Sequence, residues 1–297
     1  MASWQAHFVS RYSKSFVKPR LRGQRDVARL REMLKSPAPP LPPNVRAERR
    51  EWGRVRGEWV EADFACRTLL FLHGGGYVQG SPETRRSVTG FFAQQGFRVF
   101  TPEYRLAPEH PFPAAVQDVI AAYLALAGDG SEPIYLAGDS SGGGLALALM
   151  MFLRDAECLL PPSAVLFSPW TDLAISGESI RSNQRRCALF HEGDMQYVAN
   201  LYLGGTSPTH PFASPLYGNL ENLPPLLVHV GADETLLDDS TRLVSRAREA
   251  GVVVDLKIWP VVPHGWQMIT ATIPEARQSL LEAADFFNST AEGPRVS

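Results

Sequence analysis

Six short runs of apolar residues punctuate the chain, at 67–73 (RTLLFLH), 97–101, 133–137 (PIYLA), 164–168 (AVLFS), 225–230 (PLLVHV) and 252–259 (VVVDLKIW). Each is nearly unbroken and too short for a core helix, which predicts strands buried on both faces. The stretches between them predict helices over 84–95, 114–126, 140–154, 238–250 and 275–287. Strands alternating with helices predict an α/β fold, a mostly parallel central sheet flanked by helices. Residues 171–214 break this rhythm: they hold a helical piece at 192–203 and Gly/Pro turns but no clear strand, as an insertion at one sheet edge would. Residues 1–36 mix spaced apolar groups with charges and predict one or two amphipathic helices. The run SPAPPLPP (36–43) ends them as a stiff linker, because proline fixes φ and removes backbone donors. The expected division is therefore an N-terminal helical segment and linker (1–43), a core (44–170 and 215–297) and an insertion (171–214).

Composition narrows the class. With 297 residues, 44% hydrophobic and 20% charged, the chain can build one large soluble domain. A net charge of −2 gives no global basic field for nucleic acid. The charge is lopsided, however. Residues 1–56 carry 14 Lys and Arg against 4 acidic residues, a net of +10, which leaves −12 on the remainder. Such a segment can meet a membrane surface or RNA, or dock on its own body. Trp4, Phe8, Tyr12, Phe16, Leu30 and Leu34 favour docking, since a free tail needs no such groups. Three cysteines without a CxxC argue against a disulfide framework. The first residues lack the features of a secretory signal, and the longest apolar run, Leu145–Leu153, is too short to span a bilayer. The expectation is a reduced, cytoplasmic protein without membrane insertion.

The chemistry concentrates at strand ends. Gly138-Asp139-Ser140-Ser141-Gly142 follows PIYLA directly and opens a helix. The string alone is weak and also fits a helix N-cap serine; between a buried strand and a helix it predicts a sharp turn that exposes Ser140 as a nucleophile. His73-Gly74-Gly75-Gly76-Tyr77 ends the first strand, and its glycines let backbone N–H groups approach a developing oxyanion. A dinucleotide loop is excluded, because the third glycine would fall at Gln79. A serine nucleophile needs a base and an orienting acid, which follow it in the order acid, then His, in such a strand–turn–helix arrangement. His264 lies after the 252–259 strand, whereas His229 sits inside an apolar strand and reads as core. Asp233 follows PLLVHV immediately and is the expected acid. Glu234, Asp238 and Asp239 compete, the last two better placed to start the next helix. His110, in YRLAPEHPFP, reads as part of a structural loop. No HExxH or paired-Cys spacing points to a metal.

In order, HGGGY (73–77), YRLAPEHPFPAA (104–115), GDSSGG (138–143), SPWTDL (168–173), GADETLLDD (231–239) and PHGW (263–266) resemble the hormone-sensitive-lipase-like esterases, the bacterial family IV carboxylesterases of the α/β-hydrolase superfamily. The resemblance covers nearly all of the chain after the linker. It implies Ser140 as nucleophile, His264 as base and Asp233 as acid, with oxyanion donors from Gly75 and Gly76, Gly74 as a further donor, and the N–H of Ser141. It implies a helical cap built from the N-terminal segment and the 171–214 insertion. It further implies hydrolysis of short- to medium-chain acyl esters through an acyl-enzyme, a small-molecule ester as partner, and no cofactor. Tyr77, Phe190, Leu236 and Trp266 are expected to line the acyl pocket. A homodimer through 252–259 is a family expectation. Amidase, lactonase and thioesterase chemistry share the triad. Receptors of this fold lack the histidine, so His264 speaks for an enzyme; a trypsin-like peptidase needs an all-β fold with His and Asp before the serine. The family usually has alanine where Ser141 stands, and the extra hydroxyl is expected to perturb hydrogen bonding beside the nucleophile.

Overall fold

The computed structural model describes residues 2–35, 37–52, 55–128 and 132–291; Ser36, the first residue of the expected linker, lies outside them. Its frame is an eight-stranded sheet: β1 (Val45–Trp52), β2 (Val55–Ala62), β3 (Arg67–Leu72), β4 (Phe97–Pro102), β5 (Ile134–Asp139), β6 (Ala164–Phe167), β7 (Leu226–Gly231) and β8 (Val254–Trp259). The spatial order is β1-β2-β4-β3-β5-β6-β7-β8. β1–β2 and β2–β4 pair antiparallel, and every other neighbour pair is parallel. The six apolar runs thus form the parallel part, with 252–259 at the open edge as expected.

The antiparallel pair β1–β2 has no counterpart among the six apolar runs. β1, VRAERREW, carries five charged side chains and no apolar face long enough to mark a strand. It is an edge strand, where charges are tolerated and discourage pairing with other chains. Its register against β2 sets Glu58 opposite Arg49 and Val60 opposite Ala47.

Ten helices complete the described chain: α1 (Trp4–Tyr12), α2 (Lys18–Leu21), α3 (Val27–Leu34), α4 (Arg86–Gln94), α5 (Ala114–Ala127), α6 (Ser141–Asp155), α7 (Ser179–Ser182), α8 (Glu192–Leu203), α9 (Leu237–Glu249) and α10 (Pro274–Ala291). Strand side chains alternate between two cores. Leu70, Leu72, Leu136 and Leu166 face one core, with α5, α6 and α9 residues such as Val119, Leu147 and Leu243. Leu69, Phe71, Val99, Ala137 and Val165 face the other, with Phe92 of α4 and Leu280 and Phe287 of α10. Between β6 and β7 lie α7 and α8 and no strand.

The N-terminal segment docks on the body as expected, but not through the four aromatics expected to hold it there. α1 runs through a π-helical turn (Ser13–Val17) into α2, and only its Ser3–Ala6–Val9 side meets the body. Ala6 is buried beside Trp259 and Trp266, and Ser3 donates from N and Oγ to Glu275 at 2.5 and 2.8 Å. Trp4, Phe8, Tyr12 and Phe16 face solvent instead, 52–73% exposed. Leu30 does pack against the core. The spacing of four that unites these aromatics on one helix face also takes that face away from Ala6.

Phe287 is fully buried, with ring centroids 5.2 Å from Tyr135, 5.5 Å from Phe97 and 6.0 Å from Phe92. Phe287→Ala should lower unfolding free energy by about 3–5 kcal/mol, read from urea denaturation; a loss under about 1 kcal/mol would refute this packing.

Candidate active site

The turn from β5 into α6 holds Ser140 at φ 54°, ψ −121°. A non-glycine residue at positive φ is strained, and the strain persists only where surroundings over-determine it. Here Ser140 N donates to Phe167 O at 2.8 Å, and Ser140 O accepts from Trp170 N at 2.9 Å. Both bonds pin the turn to the end of β6. The turn also needs Gly142, where a Cβ would sit 2.0 Å from Leu72 O. Ser140 is thereby set at the C-terminal edge of the sheet, beside the N-terminus of α6.

The loop after β3 lies against this turn. Gly75 (φ +134°) could hold no side chain, because a Cβ there would meet Gln79 O at 1.9 Å. Gly74 N donates to Asp139 Oδ1 at 2.9 Å. That N–H is spent on positioning the loop, which corrects the expectation that Gly74 serves as an oxyanion donor. The N–H groups of Gly75, Gly76 and Ser141 have no protein acceptor among the described residues. Ser141 Oγ is buried and accepts from Tyr77 N at 3.3 Å. The hydroxyl braces the loop, where it was expected to disturb the nucleophile's bonding.

Beneath both sits a buried ion pair. Arg85 Nε and Nη2 donate to Asp139 Oδ1 and Oδ2 at 2.9 and 3.0 Å. Burial pushes the Asp139 carboxyl up, but Arg85 and the Gly74 N–H outweigh it and hold the group below its ordinary value. His73, fully buried and stacked 4.2 Å from Tyr104, is held down to about 4 by burial first and then by Arg85. It is neutral at physiological pH.

His264 and its acid come from the loops after β8 and β7. His264 Nδ1 lies 2.5 Å from Glu234 Oε2. Glu234 Oε1 accepts from Gly231 N at 2.7 Å and Ser168 Oγ at 2.6 Å, and the side chain is buried. The expected acid, Asp233, is not there: its carboxylate turns outward to Arg186, at 3.5 Å. The turn after β7 folds back, so its fourth residue reaches the Gly231 N–H while the third points to solvent. Asn183 Nδ2 holds that turn by donating to Ala232 O and Glu234 O. Asp239 accepts from Thr171 N and Asp172 N, and Asp238 from Ser179 N, so neither reaches His264. His229 is core, bonded to Ser279 and lowered to about 3 by burial. His110 is exposed.

Ser140 and His264 line one cavity of about 400 Å³, together with Gly75 and Gly76. Phe190 and Leu236 line it as expected. Tyr77 and Trp266 do not. Tyr77 stacks under it on Tyr202, centroids 3.7 Å apart, and Trp266 is fully buried beside Trp259. Lining residues that the motifs did not mark come from the N-terminal segment (Leu21, Leu30, Leu34) and from the 171–214 stretch (Met195, Val198). Their apolar spacing marked helices, but nothing in it showed which face meets the cavity. Among the described residues, no group of three or more His, Cys, Asp or Glu is arranged to hold a metal ion.

Residues 69–268 match a family model described as alpha/beta hydrolase fold. An acetyl-hydrolase of Streptomyces hygroscopicus is 44% identical over 245 residues, covering 81% of this chain and 82% of that protein. An esterase of Acinetobacter venetianus is 38% identical over 255 residues, 84% of each. Among solved structures, an esterase from the bacterial hormone-sensitive lipase family superposes with a TM-score of 0.90 at 39% identity, over 98% of this chain and 99% of that one. A hormone-sensitive lipase from a metagenome library gives 0.86 at 34% identity over the same shares.

Arg85→Met should cost about 3–5 kcal/mol near neutral pH, because it strands a buried carboxylate. With Arg85 present, the depressed Asp139 carboxyl stabilises the fold fully above its unfolded value of about 4 and loses that contribution as pH falls through the folded value. The deficit of the variant should therefore shrink on acidification, as its unpaired Asp139 takes up a proton. Urea midpoints across the acid range check this; a deficit that stays constant overturns it.

Proposed function

The chain belongs to the α/β-hydrolase fold family, alongside bacterial hormone-sensitive-lipase-like esterases, and on that footing we propose that it is a carboxylic ester hydrolase working through Ser140, His264 and Glu234. The observation that carries the reading is the 2.5 Å contact between His264 Nδ1 and the buried Glu234 carboxylate, at the wall of the cavity that Ser140 also lines. A carboxylate only accepts, so this contact keeps the proton on Nδ1 and leaves Nε2 free as a base. Ser140 Oγ attacks the ester carbonyl while Nε2 takes its proton. The N–H groups of Gly75, Gly76 and Ser141 receive the oxyanion, and Glu234 stabilises the imidazolium. His264 returns the proton to the departing alcohol, leaving an acyl-enzyme. Water, activated by His264, then releases the acid.

The substrates we infer are short- to medium-chain acyl esters. A cavity of about 400 Å³ stands near the small end of ligand pockets, about 300–1,000 Å³. The name of the Streptomyces relative, an acetyl-hydrolase, points the same way.

Ser140→Ala should cut p-nitrophenyl butyrate turnover by at least about a thousandfold, with the fold unchanged by circular dichroism. Glu234→Gln should cost about 10⁴-fold, by leaving His264 in the wrong tautomer, while Asp233→Asn stays near the wild-type rate. Equal losses at the two acids would overturn the assignment. In a separate series of p-nitrophenyl esters, acetate to hexanoate should be turned over fastest; a maximum at laurate or beyond would refute the acyl-size reading.

A further inference from the structure

The N-terminal helix presents a surface that ester hydrolysis does not use. Trp4, Phe8, Tyr12 and Phe16 follow one another at intervals of four and are 73, 63, 52 and 56% exposed. Three of the rings follow one another in contact, Phe8 to Tyr12 at 6.5 Å and Tyr12 to Phe16 at 5.1 Å. Four large aromatics on one exposed face are a contiguous patch, where single exposed apolar residues would need no explanation. The opposite side is anchored: Ala6 is buried, Ser3 bonds Glu275, and Lys18 Nζ donates to Gln184 O at 2.6 Å and Cys187 O at 3.0 Å. The ridge is thus held outward by the fold.

Its charge identifies the occupant. Residues 1–25 contain no Asp or Glu, and Arg11, Lys14, Arg20 and Arg22 along the same helical run are exposed. Aromatic rings beside Lys and Arg on one helix are what lies well at the boundary of an anionic bilayer. A second copy of this ridge fits poorly, since face-to-face contact would set these cations against each other. The rest of the chain beyond residue 56 is net negative, so an anionic surface draws in this end and repels the other. The same segment then supplies Leu21, Gln24, Leu30 and Leu34 to the cavity wall.

We propose that the Trp4–Phe8–Tyr12–Phe16 ridge docks the protein peripherally on an anionic lipid surface. No helix among the described residues is long and apolar enough to cross a membrane, and the docking needs none: an interfacial helix buries its apolar face only as far as the boundary between headgroups and acyl chains. The proposal does not rest on the hydrolytic reading.

Co-sedimentation of the full chain with vesicles tests it. Binding should occur with phosphatidylcholine vesicles containing phosphatidylglycerol, and should weaken in pure phosphatidylcholine and in high salt. Phe8→Ser with Tyr12→Ser should weaken it by at least about tenfold, and Arg11→Gln with Lys14→Gln by about thirtyfold. Both variants should keep wild-type turnover of soluble p-nitrophenyl butyrate, which reports an intact fold. Ser140→Ala should bind vesicles like the wild type, so failure of the catalytic reading and failure of docking are separable. Absence of vesicle binding overturns the proposal. So does binding that both variants retain. A self-association by light scattering, or binding of a single-stranded oligonucleotide, that the aromatic variant abolishes in the absence of vesicle binding would assign the ridge to another partner and overturn it too.

Discussion

The buried pair of Arg85 and Asp139 joins the three parts on which the candidate site is built. Asp139 is the last residue of β5 and precedes Ser140; Arg85 closes the turn before α4; and Gly74, at the end of β3, donates to the same carboxylate. An ion pair taken out of water stabilises little by itself, because desolvation offsets its attraction. What it supplies is register. With both carboxylate oxygens engaged, the β3 loop cannot slide relative to the Ser140 turn, and the free N–H groups of Gly75 and Gly76 stay beside Ser140. A donor set aimed before the reaction begins needs no reorganisation during it.

A second joint holds His264. Glu234 shares its two oxygens between His264 on one side and Gly231 N and Ser168 Oγ on the other. The same carboxylate therefore ties the β8 loop to the ends of β7 and β6. Asp233 could not do this from the neighbouring position, since the backbone there directs it to Arg186 and solvent. Both joints lie at the C-terminal ends of parallel strands, where an open α/β sheet collects its functional loops.

Part of the wall of the cavity over these joints comes from the N-terminal segment. α3 is clamped by Arg31, which donates to Val78 O at 2.7 Å, to Ala107 O at 3.0 Å and to both oxygens of Glu109 at 2.7 Å. Gly23 N and Arg25 both bond Asp194 of α8. The N-terminal segment is therefore held at both ends, by Ser3 and Ala6 at one and by these polar contacts at the other, and neither attachment uses the aromatic side of α1.

Much of this molecule was legible in its sequence. Two-faced apolar runs mark parallel strands because a strand covered by helices on both sides has no polar face to show, and all six runs became β3 to β8. Ser140 was recognisable because a sharp strand-to-helix turn demands a string of small residues around it, and His264 because it follows the last strand, downstream of the serine and of the acid. β1 and β2 escaped because a charged edge strand carries no such run. The choice between Asp233 and Glu234 was also invisible: adjacent carboxylates in one turn differ only in direction, and Gly231, Ser168 and Asn183, brought together from three separate stretches, decide that direction. The exposed aromatic ridge is the same kind of case. The sequence by itself determined that Trp4, Phe8, Tyr12 and Phe16 share a helix face, since a period near 3.6 requires it. Which way that face points was settled only by the tertiary structure, where the small side of the helix at Ala6 fits against Trp259 and Trp266 and the large side does not.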